Sequence, residues 1–359
     1  MESSNNDNSM KDMIYKYRER IDNAITEYYK EEAKRRDYTS SFYRKIHANM
    51  EDFVLSGGKR LRPLLLLLGY MGYSPEGTSP DKAIKAAAAV EIFHSFLLVH
   101  DDIVDKDDMR RGKPAMHMRL APHIPPGITK PQDIAIITGD MMLFHSLALL
   151  YETPLESHRV MNAARIMTDA AISTAIGEIY DLLDNNKSLT KTEFEHILFV
   201  MTYKTSRYTI SMPLAMGAAL AGSNKKYEDF EEIANLLGVA FQLQDDLLGV
   251  FGDTQKIGKS VTSDIEEGKK TLIMKWLYDD STEEEREFLL DNLGKGTIDK
   301  DSFEKIRELI ILHGIKDRIE KYIDEMLVEA REEVKGLGMN DQGTKFLLYL
   351  IDILAGREK

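Results

Sequence analysis

Apolar residues in this chain recur at three- and four-residue steps, and they nowhere alternate with polar ones over the length a strand needs. Ile14, Tyr17, Ile21, Ile25 and Tyr28 set the pattern in a helix predicted over Lys11–Arg36, and Tyr38–Leu55 repeats it less strictly. Ser56-Gly57-Gly58 interrupts it and Lys59–Tyr73 resumes. Ser79-Pro80 reads as a helix start, Ser as N-cap and Pro at the first helical position, leading into an Ala-rich apolar run from Ala86 to Val99. Leu120–Pro131, rich in proline, is a loop. Helices follow over Asp133–Leu150 and Ser157–Asp184, with a turn at Asn185-Asn186-Lys187-Ser188. Another spans Lys191–Ala221, kinked by Pro213, and a further one Tyr227–Val250. Gly252–Lys270 reads as a long loop, and beyond it come several shorter amphipathic helices. The expectation is an all-α protein: one large domain over residues 11–359, behind a polar tail, 1–10, expected to be disordered.

The partners are bounded by charge. A net charge of −13 argues against general nucleic-acid binding, so local basic clusters read as specific anion sites. The chain has no cysteine, which excludes disulfides, thiolate metal sites and cysteine nucleophiles and suits a reducing cytoplasm. The longest uninterrupted apolar run, Leu64–Tyr73, falls short of the roughly 20 residues of a membrane span, so none is expected.

Two acidic pairs stand out. His100-Asp101-Asp102-Ile103-Val104-Asp105 closes the first apolar helix, with Asp101 and Asp105 one turn apart on one face. Carboxylates at that spacing cost a helix a few tenths of a kcal/mol, roughly. At a helix C-terminus they also oppose the macrodipole. A hard divalent cation removes both objections. One such end can equally be a solvated surface. A second, Gln242-Leu243-Gln244-Asp245-Asp246-Leu247-Leu248-Gly249, again follows a buried-type helix and precedes a basic, Gly-bearing loop. Two in one chain suggest facing acidic walls that clamp metal ions.

Together with Gly57-Gly58-Lys59-Arg60-Leu61-Arg62-Pro63, these motifs resemble the trans-isoprenyl diphosphate synthases, the polyprenyl synthetase family, over about Asp52–Thr271. The resemblance implies a helical bundle around a deep central cavity, usually a homodimer. It also implies a prenyltransferase that condenses isopentenyl diphosphate head-to-tail (1′-4) with dimethylallyl, geranyl or farnesyl diphosphate. Asp101, Asp105 and Asp245 would then hold three Mg²⁺, with Mn²⁺ as a substitute, and Asp102 and Asp246 would support them. Arg110, Lys204, Lys259 and Lys269 match positions that touch the allylic diphosphate, and Thr205 adds a hydroxyl.

The isopentenyl diphosphate site implied by the resemblance comprises Gly58, Lys59, Arg62, His94 and Arg111, with Phe241 and Gln242 near the hydrocarbon end and reacting carbons. A histidine at position 94 of an apolar helix is otherwise a hydrogen-bonded core residue. Phe96 lies five residues before Asp101, about 7.5 Å along a helix, where in the family a bulky residue closes the chain tunnel. Leu97 beside it is not aromatic, and the first motif lacks an insertion. That combination resembles archaeal-type geranylgeranyl diphosphate synthases making C20, with a farnesyl or mixed C15/C20 synthase as the alternative. Core packing is the competing reading of Phe96.

The second motif departs from the family in having Gly249 where a third aspartate is usual, with Asp253 as a possible stand-in. Glu178, in Gly177-Glu178-Ile179-Tyr180-Asp181, stands where the family has an amide. A terpene cyclase would lack Asp245-Asp246 and the Gly57-Gly58-Lys59 site. A non-catalytic partner subunit would have lost an acidic motif. A metal-binding scaffold would leave the basic clusters unexplained.

Overall fold

The computed structural model describes residues 2–36, 40–184, 189–252 and 262–356. Its first helix, α1 (Glu2–Arg36), begins far earlier than the periodicity predicts, so residues 2–10 are helical where composition reads as disorder. Then come α2 (Ser41–Leu55), α3 (Leu61–Gly72), α4 (Ile84–Val104), α5 (Met116–Leu120), α6 (Pro131–Tyr151) and α7 (Ser157–Asp184). Ser40 caps α2, its hydroxyl accepting from the Tyr43 amide. Ser79 does not cap through its side chain: Pro80–Ala83 form a 3-10 turn ahead of α4, and the Ser79 hydroxyl goes to the Asp81 carboxylate instead. The Leu120–Pro131 segment holds a short 3-10 turn, Ala121–His123, and Pro131 opens α6.

The stretch read as one Pro-kinked helix is three elements. They are α8 (Phe194–Met201), a π-helix over Thr202–Ser211, and α9 (Met212–Ala221), where Pro213 falls in the first turn. After α10 (Glu231–Phe251), the predicted loop contains a helix over Ser263–Glu267. The turn at 185–188, Asp253 and Lys259 lie outside the described residues. The remaining helices cover Leu272–Asp280, Glu283–Asn292, Lys300–Leu312, Ile315–Gly336 and Asp341–Leu354. Among the described residues the only strands are β1 (Met109–Arg110) and β2 (Lys113–Pro114), a two-residue antiparallel ribbon.

The chain divides into two compact units, each assembled from separated segments. The first unit comprises residues 1–166, 213–226 and 339–349. Its centre is the α4–α6 pair, with α1 and α3 also packed on α4. Fully buried Phe93, Ile92, Val90 and a run of alanines make α4 a core helix. Pro80–Val104 and Pro131–Tyr151 are each long and apolar enough to cross a membrane by length and composition alone, which the Leu64–Tyr73 run does not foretell. The first is mostly buried, as a core helix is.

The second unit comprises residues 167–212, 227–338 and 350–359. In it α10 packs on the π-helix and on the helix Ile315–Gly336. The latter presents Ile315, Ile319, Ile323, Leu327, Ala330 and Val334, all buried, at steps of three and four. Each large aliphatic side chain buried this way contributes about 1.5–3 kcal/mol. That stripe explains why so charged a helix still docks.

Candidate active site

The acidic end of α4 is fixed by its own termination. Lys106 takes a left-handed backbone (φ 58°), and the Asp107 amide donates to the Asp102 carbonyl at 2.9 Å, a Schellman closure. Asp101 and Asp105 carry carboxylate oxygens within 4.8 Å of one another, a donor set of hard oxygens suited to Mg²⁺. Asp102 is fully buried. Arg110 donates to Asp102 and, at 2.9 Å, to Asp101 Oδ2. Burial opposes the Arg110 charge, but Asp102 and Asp101 outweigh it and hold the guanidinium pKa above its usual value.

Arg110 ends β1, and the ribbon turns at Arg111 (φ 53°) and Gly112 (φ 73°). Positive φ at both central residues is the type I′ hairpin geometry. Neighbouring arginines therefore serve different places. Arg111 donates to the Gly57 carbonyl at 2.8 Å and to His94 Nε2 at 3.3 Å. Arg62 reaches the same His94 nitrogen at 3.2 Å. Burial, then Arg62 and Arg111, push the His94 pKa well below 6.5. The imidazole is neutral, and Nε2 accepts from two guanidinia.

A Cβ on Gly58 (φ 111°) would lie 3.1 Å from the Arg111 guanidinium carbon, so the loop needs glycine there for both conformation and space. Lys59 is exposed beside it. Gly58, Arg62, His94 and Arg111 are thus brought together in the first unit, and Lys59 follows Gly58 in the same loop. Sequence reasoning missed their support. Arg60 is buried and bonded to Asp22 Oδ1 (2.7 Å), Glu91 Oε1 (2.8 Å) and the Gly57 carbonyl (2.6 Å). Buried Glu91, a lone acid in an apolar run three residues before His94, was the available signal.

Phe96 is half-buried between Phe93 and His100 on α4, and Leu97 is likewise half-buried.

In the second unit the π-helix positions Lys204 and Thr205. Two glycines admit it: a Cβ on Gly177 would stand 2.2 Å from the Lys204 nitrogen, and one on Gly238 would stand 2.3 Å from Ser206 Oγ. Such π segments occur frequently at functional sites. Lys204 Nζ pairs with Asp181 at 2.6 Å and with Glu178 at 2.9 Å. Thr205 Oγ1 donates to Gln242 Oε1 (3.3 Å), and Gln242 Nε2 donates to Asp246 Oδ1 (3.0 Å). Gln242 and Phe241 are half-buried on α10, and Asp245 is exposed.

Asp246 is 5% exposed, and its Oδ2 has no hydrogen-bond partner among the described residues. Burial, then Asp264 and Asp245, push its carboxyl up to about 8, against the Gln242 amide. An orphaned oxygen in an acidic group fits a cation. Asp264, overlooked in the sequence, lies against Gly249, and Lys269 Nζ pairs with Asp264 at 3.3 Å and Glu267 at 3.1 Å.

The polyprenyl synthetase family profile matches residues 43–310, and the chain belongs to that family of prenyltransferases. It is 31% identical to the geranylgeranyl diphosphate synthase of Saccharolobus solfataricus over 90% of this chain and 94% of the relative. It is 32% identical to the short chain isoprenyl diphosphate synthase of Methanocaldococcus jannaschii over 74% of this chain and 75% of that one. The fold matches the geranylgeranyl pyrophosphate synthase of Corynebacterium glutamicum, solved with isoprenyl diphosphate and magnesium. The TM-score is 0.83 at 26% identity, covering 96% of this chain and 99% of the other.

Proposed function

We propose that the chain is a short-chain prenyltransferase that adds isopentenyl diphosphate to an allylic diphosphate and yields chiefly geranylgeranyl diphosphate. Family membership and the names of the similar synthases support this reading. The observation that carries the two-substrate chemistry is the separation of charged groups by type. Carboxylates dominate at Asp101–Asp105 and Asp245–Asp246, whereas arginines converge on His94. Asp101, Asp105 and Asp245 hold magnesium, which when bound neutralises the departing diphosphate.

Arg110, Lys204, Lys269 and, outside the described residues, Lys259 bind the allylic diphosphate, and Thr205 orients Gln242 toward the reacting carbons. Arg62, Arg111 and Lys59 take isopentenyl diphosphate, which must not ionise and so suits a cluster without metal ligands. Neutral His94 holds the two arginines in place. Phe96 limits the chain.

The same reading makes the protein a homodimer. Ile137, Phe144 and Tyr151 form an exposed stripe on α6, and Ile172, Ile179 and Leu183 form another on the part of α7 in the second unit. Apolar stripes of this kind mark protein contacts. A cytoplasmic location accords with the lack of cysteine.

The test is pyrophosphate release from farnesyl diphosphate with and without isopentenyl diphosphate, followed by chromatography of the dephosphorylated products. C20 alcohol formed only with both substrates is expected. Release without isopentenyl diphosphate means a cyclase. No release at all refutes the enzyme, and a C15 end product from geranyl diphosphate refutes the C20 assignment.

A further inference from the structure

Four residues after Phe96, on the same face of α4, stands His100. The two rings meet edge to face, with centroids 5.1 Å apart at 70°. Phe93, fully buried, holds Phe96 from the other side at 5.7 Å. Side chains on a helix lean toward its N-terminus, so His100 lies over Phe96.

The imidazole also rests on α6. A Cβ on Gly139 would stand 2.5 Å from His100 Nε2 and 2.6 Å from Cδ2. Only glycine leaves the ring that seat. Asp140, the next residue, brings Oδ1 to 3.4 Å from Nε2, a nitrogen that is buried and makes no hydrogen bond among the described residues. Burial lowers the pKa of His100, with Asp140 opposing. Nothing in the proposed chemistry uses it.

We infer that His100, seated on Gly139 and faced by Asp140, is a positioning residue that fixes the Phe96 ring and so sets product length. The inference rests on the reading of Phe96 as the end of the chain pocket. Removing the imidazole frees Phe96 to turn aside, which lengthens the product. A methyl at position 139 drives the imidazole onto Phe96, which shortens it. Opposite signs from two neighbouring substitutions are a signature that general loosening does not produce.

The experiment uses the full-length enzyme with Mg²⁺, isopentenyl diphosphate and either geranyl or farnesyl diphosphate, with chromatography of the dephosphorylated products. His100→Ala is expected to raise the C25 to C20 ratio about tenfold, the scale on which apolar pockets discriminate small increments. Asp140→Asn moves it the same way by less, and Gly139→Ala makes C15 accumulate from geranyl diphosphate. In a Phe96→Ala background, itself lengthening the product, none of the three shifts it further, because residues in contact are not additive.

Thermal melting of each variant is measured alongside. Lower melting temperatures with unchanged product lengths overturn the inference, as do shifts that persist undiminished in Phe96→Ala. If Phe96→Ala leaves length unchanged, the pocket reading falls and the inference with it, while turnover with both substrates still reports the family activity. Should Gly139→Ala not fold, His100→Ala and Asp140→Asn decide.

Discussion

Asp264 Oδ2 lies 3.2 Å from the point a Cβ on Gly249 would occupy. The second acidic motif lacks its usual third aspartate at 249, and a carboxylate from the helix Ser263–Glu267 stands against that position instead. We propose that Asp264 supplies what the motif omits.

Asp264→Asn is then expected to lower kcat by at least about tenfold, some 1.4 kcal/mol of barrier. Gly249→Asp, which restores the family pattern on paper, should lower activity too, because it sets another carboxylate against Asp264. The double substitution should recover much of the loss. Steady-state kinetics with varied Mg²⁺ checks this, and a fully active Asp264→Asn refutes the role.

Asp101→Ala and Asp245→Ala should each reduce turnover by about a thousandfold or more, the cost of removing a principal group that stabilises developing charge. Single-turnover measurements with both substrates read it. Near-normal rates would remove these residues from metal binding.

The π-helix predicts a steric result. Gly177→Ala and Gly238→Ala each place a methyl inside a contact of about 2 Å, so each should cost about 1–3 kcal/mol, as overpacking does. Chemical denaturation gives the stability. Because Lys204 and Thr205 ride on the π-helix, activity should fall in both variants under conditions where they remain folded.

The first unit also stores a pH dependence. The hydroxyl of Tyr28 and His145 Nδ1 share a hydrogen bond at 2.8 Å, with Tyr29 and His47 packed nearby. Burial lowers the His145 pKa to about 4, Glu32 opposing and Arg36 and His47 assisting. The unfolded chain therefore binds the proton first. Stability is full above about pH 6.5 and is lost as pH falls toward 4, by about 3 kcal/mol at 1.36 per pKa unit. His145→Gln should flatten the stability curve across that window, measured by urea titration at several pH values.

Phe144→Glu places a charge in the exposed α6 stripe and is expected to give monomers in sedimentation equilibrium. An unsubstituted protein that sediments as a monomer would refute the dimer outright.

The helices were legible because amphipathic periodicity is a local property, and α7 was read to its ends. The motifs also named the residues that gather around His94. Three things were not legible. The π-helix depends on glycines at 177 and 238, distant from it in sequence. The salt-bridged support of Arg60 depends on Asp22 and Glu91, and no motif marks the former. Asp264 looked like one acid among many, because what distinguishes it is its approach to Gly249.

Arg110 grips Asp101 and Asp102, so any incoming cation competes with a resident guanidinium. Bare magnesium should consequently find this ledge a poor host. A diphosphate that lures the arginine away liberates the oxygens at the moment its own counter-ions arrive. Cation and allylic substrate are thereby expected to load as one parcel.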